Sequence, residues 1–236
     1  MMGGGVPAED RVRLAWSSGP CWGDSPAEEP DLRVARDPKA DRAHRAAVAS
    51  DPDTPVDLLG LMARTQPDMA TRLAGNPSVP LDALRVILRR RAHTAYLNLA
   101  RHPNADEGML RWLSTRDWHV AVAVCCNPNA GPGLLEQIYG RMLEDAAQHG
   151  LPHPQAYRLV AVASSPRAPV EVLRQISTVC DEEVDEAVAG NPSTPGDVLV
   201  ELALRYAPGA VSRAAANNPS CPEHIRAILA LGDADI

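Results

Sequence analysis

The chain has 236 residues and a formal net charge of -7; 45% of it is apolar, but aromatics make up only 3% and Phe is absent. An apolar fraction that leans on Ala, Val and Leu suits closely packed small helices better than a strand-rich fold, and the acidic surplus counts against a general nucleic-acid binder. The five cysteines, at 21, 125, 126, 180 and 221, are an odd number without C-x-x-C spacing. They indicate neither a disulfide framework nor a zinc site, so reduced thiols in a cytoplasm are expected. Met1 to Ser18 lacks the apolar core of a signal peptide, and no apolar run approaches a membrane span.

Residues 1–31 are rich in Gly, Pro, Ser and Glu and read as a mobile arm, with Trp16, Cys21 and Trp22 as its anchors. Leu32 to Pro38 reads as a truncated capping unit. Full units then start at Asp51, Asn76, His102, Asn127, Ser165, Asn191 and Asn218, each followed by Pro, at spacings of 25, 26, 25, 38, 26 and 27 residues. With that first residue as zero, position +7 holds Leu58, Ala83, Met109, Leu134, Val172, Val198 and Ile225. Position +8 is Leu in every unit except at Arg226, and +11 holds Met62, Ile87, Leu113, Ile138, Ile176, Leu202 and Leu229. A 7, 8, 11 pattern is one face of an α-helix.

Pro55, Pro80, Pro169, Pro195 and Pro222 are expected at the first helical position. Thr54 with Asp57 and Thr194 with Asp197 have the spacing of a capping box. A second short apolar segment precedes each unit start, with a small residue at -2 (Ala49, Ala74, Ala100, Cys125, Ala163, Ala189 and Ala216) that implies close backbone approach. This segment is read as α or 3-10 helix. The Asn after it is expected to end the helix in a left-handed conformation, with Pro blocking continuation. The 38-residue spacing adds an insertion, 140–154, in which the helix after Leu134 continues to near Gly150.

A unit of about 25 residues reading N-P-x-x-P-x-x-x-L-x-x-L and closing on V-A or L-A resembles the leucine-rich repeat variant family, over residues 32–236. The resemblance implies alternating α and 3-10 helices wound into a right-handed superhelix without strands, and binding as the usual role. The expected fold is therefore an all-α, right-handed superhelical solenoid of about seven units. Some members carry an N-terminal iron–sulfur module held by four cysteines; only Cys21 precedes the repeats here, so the feature does not carry over and no cofactor or metal is expected.

Function is sought where the units depart from their own pattern, because regular positions are explained by folding. The third and fourth units lose the helix-starting proline and read His102-Pro103-Asn104-Ala105-Asp106 and Asn127-Pro128-Asn129-Ala130-Gly131. Arg85, Arg89, Arg90, Arg91, Arg101, Arg111 and Arg116 stand against Asp106, Glu107 and Asp117, a local charge of 7 - 3 = +4 on an acidic protein, with Tyr96, Trp112, Trp118 and His119 nearby. At +10 the first units carry Leu61, Val86 and Trp112 where later ones carry Gln137, Gln175 and Glu201. These either contact a partner or cover neighbouring helices. Later in the chain, Asp181 to Glu186 is an acidic cluster.

No H-E-x-x-H, G-x-S-x-G or phosphate-binding glycine loop is present, and an enzyme is not expected. The favoured function is a non-catalytic cytoplasmic scaffold binding a protein or peptide through Arg85, Arg89, Arg111, Trp112 and Trp118. The alternative is nucleic-acid binding through the arginine band at 85–119.

Overall fold

The computed structural model describes residues 33, 34 and 36–232, and all regular structure among them is helical. In chain order the helices are α1 (Arg42–Ser50), α2 (Val56–Thr65), α3 (Ala70–Ala74), α4 (Leu81–Arg89), α5 (Tyr96–Arg101), α6 (Glu107–Ser114) and α7 (Trp118–Cys125). They continue as α8 (Pro132–Gln148), α9 (Ala156–Ala163), α10 (Val170–Ile176), α11 (Glu182–Gly190), α12 (Gly196–Arg205), α13 (Ala210–Asn217) and α14 (Glu223–Gly232). Even-numbered helices are the first of each unit and odd-numbered ones the second. Short 3-10 turns at Pro67–Met69, His93–Ala95 and Ser177–Val179 precede α3, α5 and α11. No helix among the described residues is long and apolar enough to cross a membrane. The expectations for Trp16, Cys21 and Trp22 lie outside the described residues; of the capping segment, Val34 is buried and its carbonyl accepts from Gln66 Nε2 at 2.7 Å.

The core runs the length of the stack. Residues at +7, +8 and +11 of α2, α4, α6, α8, α10 and α12 are all buried, from Leu58, Leu59 and Met62 to Val198, Leu199 and Leu202. Each such side chain contributes about 1.5–3 kcal/mol when fully buried, too little for one unit to offset its own ordering entropy. Burial is completed by the neighbouring unit.

The unit starts are where the chain departs from expectation. Asn191 and Asn218 are extended, at φ -77° and -69°, and among the described residues the positive-φ non-glycine ones are Arg91 and Cys180, so no unit-start Asn is left-handed. Its side chain instead bonds to the preceding unit. Nδ2 of Asn76 donates to the carbonyls of Ala49 and Asp51, Nδ2 of Asn127 to Ala100 and His102, and Nδ2 of Asn218 to Ala189 and Asn191, all at 2.7–3.0 Å. Asn191 does the same to Ala163 and Ser165. Oδ1 of each accepts from its own chain two residues on, at Ser78, Asn129, Ser193 and Ser220. Each unit start is thus position one of a turn closed by the amide at +3 (Val79 N to Asn76 O, Thr194 N to Asn191 O), with Pro pre-set at the second position. The small -2 residues bring the accepting carbonyls within reach.

His102 keeps the ladder with a ring: Nδ1 accepts from the Asn104 amide at 3.0 Å, so Nε2 carries the proton it donates to Asn76 O at 2.8 Å. One donor is lost relative to Asn; separately, Asn104 donates to Pro77 O and Val79 O of the turn before. Asn129 bonds likewise to Pro103 O and Ala105 O. The ladder fails at Ser165, after the insertion, where Oγ is buried without a partner.

Helix starts differ too. Pro55, Pro80, Pro169 and Pro195 precede the first helical residue instead of occupying it, because their carbonyls already accept helical bonds while their ψ stays extended. The capping boxes do not form. Thr54 and Thr194 turn inward and donate to Val48 O and Val188 O, six residues back. Of the acidic cluster, Asp181 caps α11 and Asp185 is fully buried against Arg205 at 3.0 Å and the Tyr206 hydroxyl at 2.8 Å. Burial pushes the Asp185 carboxyl above its ordinary value.

Asn191→Ala leaves two buried carbonyls and an amide without partners and is expected to cost about 2–4 kcal/mol in urea unfolding, whereas Ser165→Ala removes an orphan hydroxyl and is expected to be neutral or to gain up to ~1 kcal/mol. Burial holds His102 below its ordinary 6.5, so its contribution is present above that pH and lost as pH falls through the depressed value. His102→Asn, with a side chain that does not titrate, is expected to fold and to lose less stability than wild type between pH 8 and pH 5.

Candidate functional site

The units that lose the helix-starting proline repair it locally. In the third unit Asp106 replaces it and caps α6, its Oδ1 accepting from Met109 N at 2.7 Å. In the fourth, Gly131 is the cap residue and Pro132 opens α8. These departures serve the fold.

Arg85, on α4, pairs with the other oxygen of Asp106 at 2.5 Å across to α6. The guanidinium, together with the Met109 amide, holds the Asp106 carboxyl below its ordinary value. Arg111 is bonded to Glu107 at 2.8 Å and to the Gln137 side chain on α8. Arg64 with Asp82 and Arg174 with Asp197 make similar exposed links between successive first helices, at 3.0 and 2.7 Å. Arg85 and Arg111 therefore already have partners within the chain.

The two tryptophans belong to different clusters. Trp112 is half-buried, edge-on to Tyr96 with centroids 5.4 Å apart, and the Arg116 guanidinium lies 4.1 Å over its ring. Trp118 opens α7 and sits between Arg158 at 4.2 Å and Arg141 at 5.1 Å; Arg158 also pairs with Asp145 on the extended part of α8. Stacking of this kind contributes about 0.5–2 kcal/mol and fixes the planes of both groups. Leu61 and Trp112, from the +10 stripe, are half-buried against the core, and Val86 is half-buried as well.

Arg89 is exposed and Arg90 donates to Arg64 O. Arg91 is at φ 54°, in the left-handed region, as is Cys180 at the same +15 position three units later. This turn carries the chain from first to second helix. In the second unit it places Arg91 and His93 above Tyr96, Trp112, Arg116 and Asp117, around a depression of about 530 Å³. The Asp117 carboxylate is directed at the α7 N-terminus, where Oδ1 accepts from Val120 N at 3.0 Å. Arg116 bonds to Trp112 O and Thr115 Oγ1 and to no carboxylate. An aromatic floor with an arginine rim is the result. Sequence counting placed these residues in one band but not in one site, because they come from α4–α5 and α6–α7 and meet only through the +15 turn. Among the described residues no group of His, Cys, Asp or Glu could hold a metal ion.

Asp106→Ala is expected to cost about 1 kcal/mol through the lost cap, and Arg85→Ala, at an exposed pair, less than ~1 kcal/mol; chemical denaturation separates the two. Compared with known proteins, the chain matches no family model, no curated protein and no solved structure.

Proposed function

We propose that the chain is a non-catalytic cytoplasmic scaffold that binds a protein or peptide segment, built as a right-handed superhelical solenoid of about seven 25-residue units of the leucine-rich repeat variant kind. The recurrence of one set of interunit bonds at Asn76, Asn127, Asn191 and Asn218 supports a stacked repeat. Second helices pack neighbour on neighbour from α1 through α13 without a gap, whereas beyond α4 the first helices have fewer close approaches to one another. A stack bends toward its tighter side, so the second helices line the inner face. The cytoplasmic setting rests on Cys125, Cys126, Cys180 and Cys221 being free thiols.

The observation that carries binding is the depression around Trp112. Neither Arg91 nor Arg116 on its rim is in a salt bridge, although Asp117 lines it too, and its floor is a ring edge and a ring face. Such a site takes an apolar side chain flanked by a carboxylate, the pattern of an aromatic and arginine hot spot. Arg91 at its rim, with Arg89 exposed two residues before it in the chain, is also what a phosphate backbone would meet, which keeps nucleic acid as the second reading.

Affinity capture with wild type, Trp112→Ala and an Arg89→Ala, Arg91→Ala double variant, with and without nuclease, tests this. A protein recovered after nuclease and reduced at least ~10-fold by Trp112→Ala, with circular dichroism unchanged, is the expected result. Recovery abolished by nuclease and by the arginine pair favours nucleic acid; recovery unaffected by Trp112→Ala removes the depression as the site.

A further inference from the structure

The inner face formed by the second helices carries a charge order along the stack that folding does not require. Positions -8, -5, -4 and -1 before the next unit start share one face of the second helices, exposed or half-buried from α3 to α11 except at Ala123 and Ala161, and they change character in sequence. On α3 and α5 they include Arg72 and Arg101, both exposed. Around Arg72 lies a polar depression of about 410 Å³ with Ser50, Thr71, Gly75 and Asn98. A Cβ at Gly75 would stand 3.4 Å from Asn98 Nδ2, so its absence keeps that floor open.

From α5 to α9 the face turns apolar. Leu97 and Tyr157 are 41% and 43% exposed, and Val122 and Val160 are half-buried between them. On α11 the same positions are Glu183 and Glu186, both exposed. Among the other charged groups on the face, Asp68 is held by Arg45 at 2.8 Å, His119 stands in the apolar stretch, and Arg213 on α13 bounds the acidic zone on its far side.

We infer that this face binds a single extended peptide segment with acidic residues at one end, an apolar middle, and basic residues at the other. The acidic end lies at Arg72 and Arg101 and the basic end at Glu183 and Glu186. This rests on the scaffold reading above but uses a different surface from the Trp112 depression. The steps from α3 to α11, at roughly 9 Å between packed helices, span on the order of 35 Å, which about 11 extended residues cover. Charge complementarity at the two ends sets orientation and excludes segments of one sign, while the apolar stretch supplies desolvated contact.

The test is selection from a phage-displayed library of random peptides of about 12 residues on the full chain. Wild type is expected to enrich sequences with Asp or Glu at one end, apolar residues between, and Lys or Arg at the other. An Arg72→Glu, Arg101→Glu variant, altered only at exposed positions, is expected to enrich Lys or Arg at both ends and to bind the wild-type consensus at least ~10-fold more weakly. The same consensus on both proteins, or enrichment without charge order, overturns the proposal. A Trp112→Ala variant is expected to select the wild-type consensus unchanged. If charge order is lost with Trp112→Ala and kept with the arginine variant, this inference falls and the Trp112 site stands.

Discussion

The interaction on which the rest of the molecule depends is the carboxamide that reaches back from one unit to the turn of the unit before. Asn is suited because it offers two donors for two carbonyls and an acceptor for its own chain on a side chain short enough to stay inside the turn. Each rung satisfies backbone groups that the helices on either side leave unpaired and that are buried between units. The rungs also set the register of the apolar faces, since the unit that supplies an Asn also supplies the helix at +7, +8 and +11. The His102 rung is a reduced form: the ring has one donor, which serves Asn76 O, while its other nitrogen accepts from its own chain at Asn104.

The helices themselves were legible in the sequence because a period of 25 to 27 residues superimposed on a helical 7, 8, 11 pattern has few other solutions. The rungs were not. Asn before Pro at a helix end carries a strong local preference for a left-handed cap, and nothing within ten residues reveals that its partners are the carbonyls at Ala49 or Ala163. Thr54 misleads in the same way: its spacing to Asp57 matches a cap, but the pull of Val48 O inside the turn is stronger. Proline placement was off by one residue because its φ suits both the cap residue and the first helical one.

The charged band presents the same division between composition and geometry. A count of arginines locates a field but does not say which are neutralised, and Arg85 and Arg111 turn out to link successive first helices. What the band offers beyond those links comes from Arg91 and Arg116, and their position depends on a left-handed turn residue whose effect appears only in three dimensions. Likewise the acidic cluster at 181–186 separates into a helix cap, a buried carboxylate and an exposed remainder.

The missing rung at Ser165 has a mechanical meaning. On one side of it the stack is tied by Asn76, His102 and Asn127, on the other by Asn191 and Asn218, while between the fourth and fifth units the second helices still pack but no side chain crosses the turns. Bending compliance therefore concentrates at that step, with the pivot along the tightly packed helices α9 and α11 and the opening on the side of α8 and α10. Two stiff blocks meeting at one soft joint can change the curvature between them while each keeps its own surface unchanged.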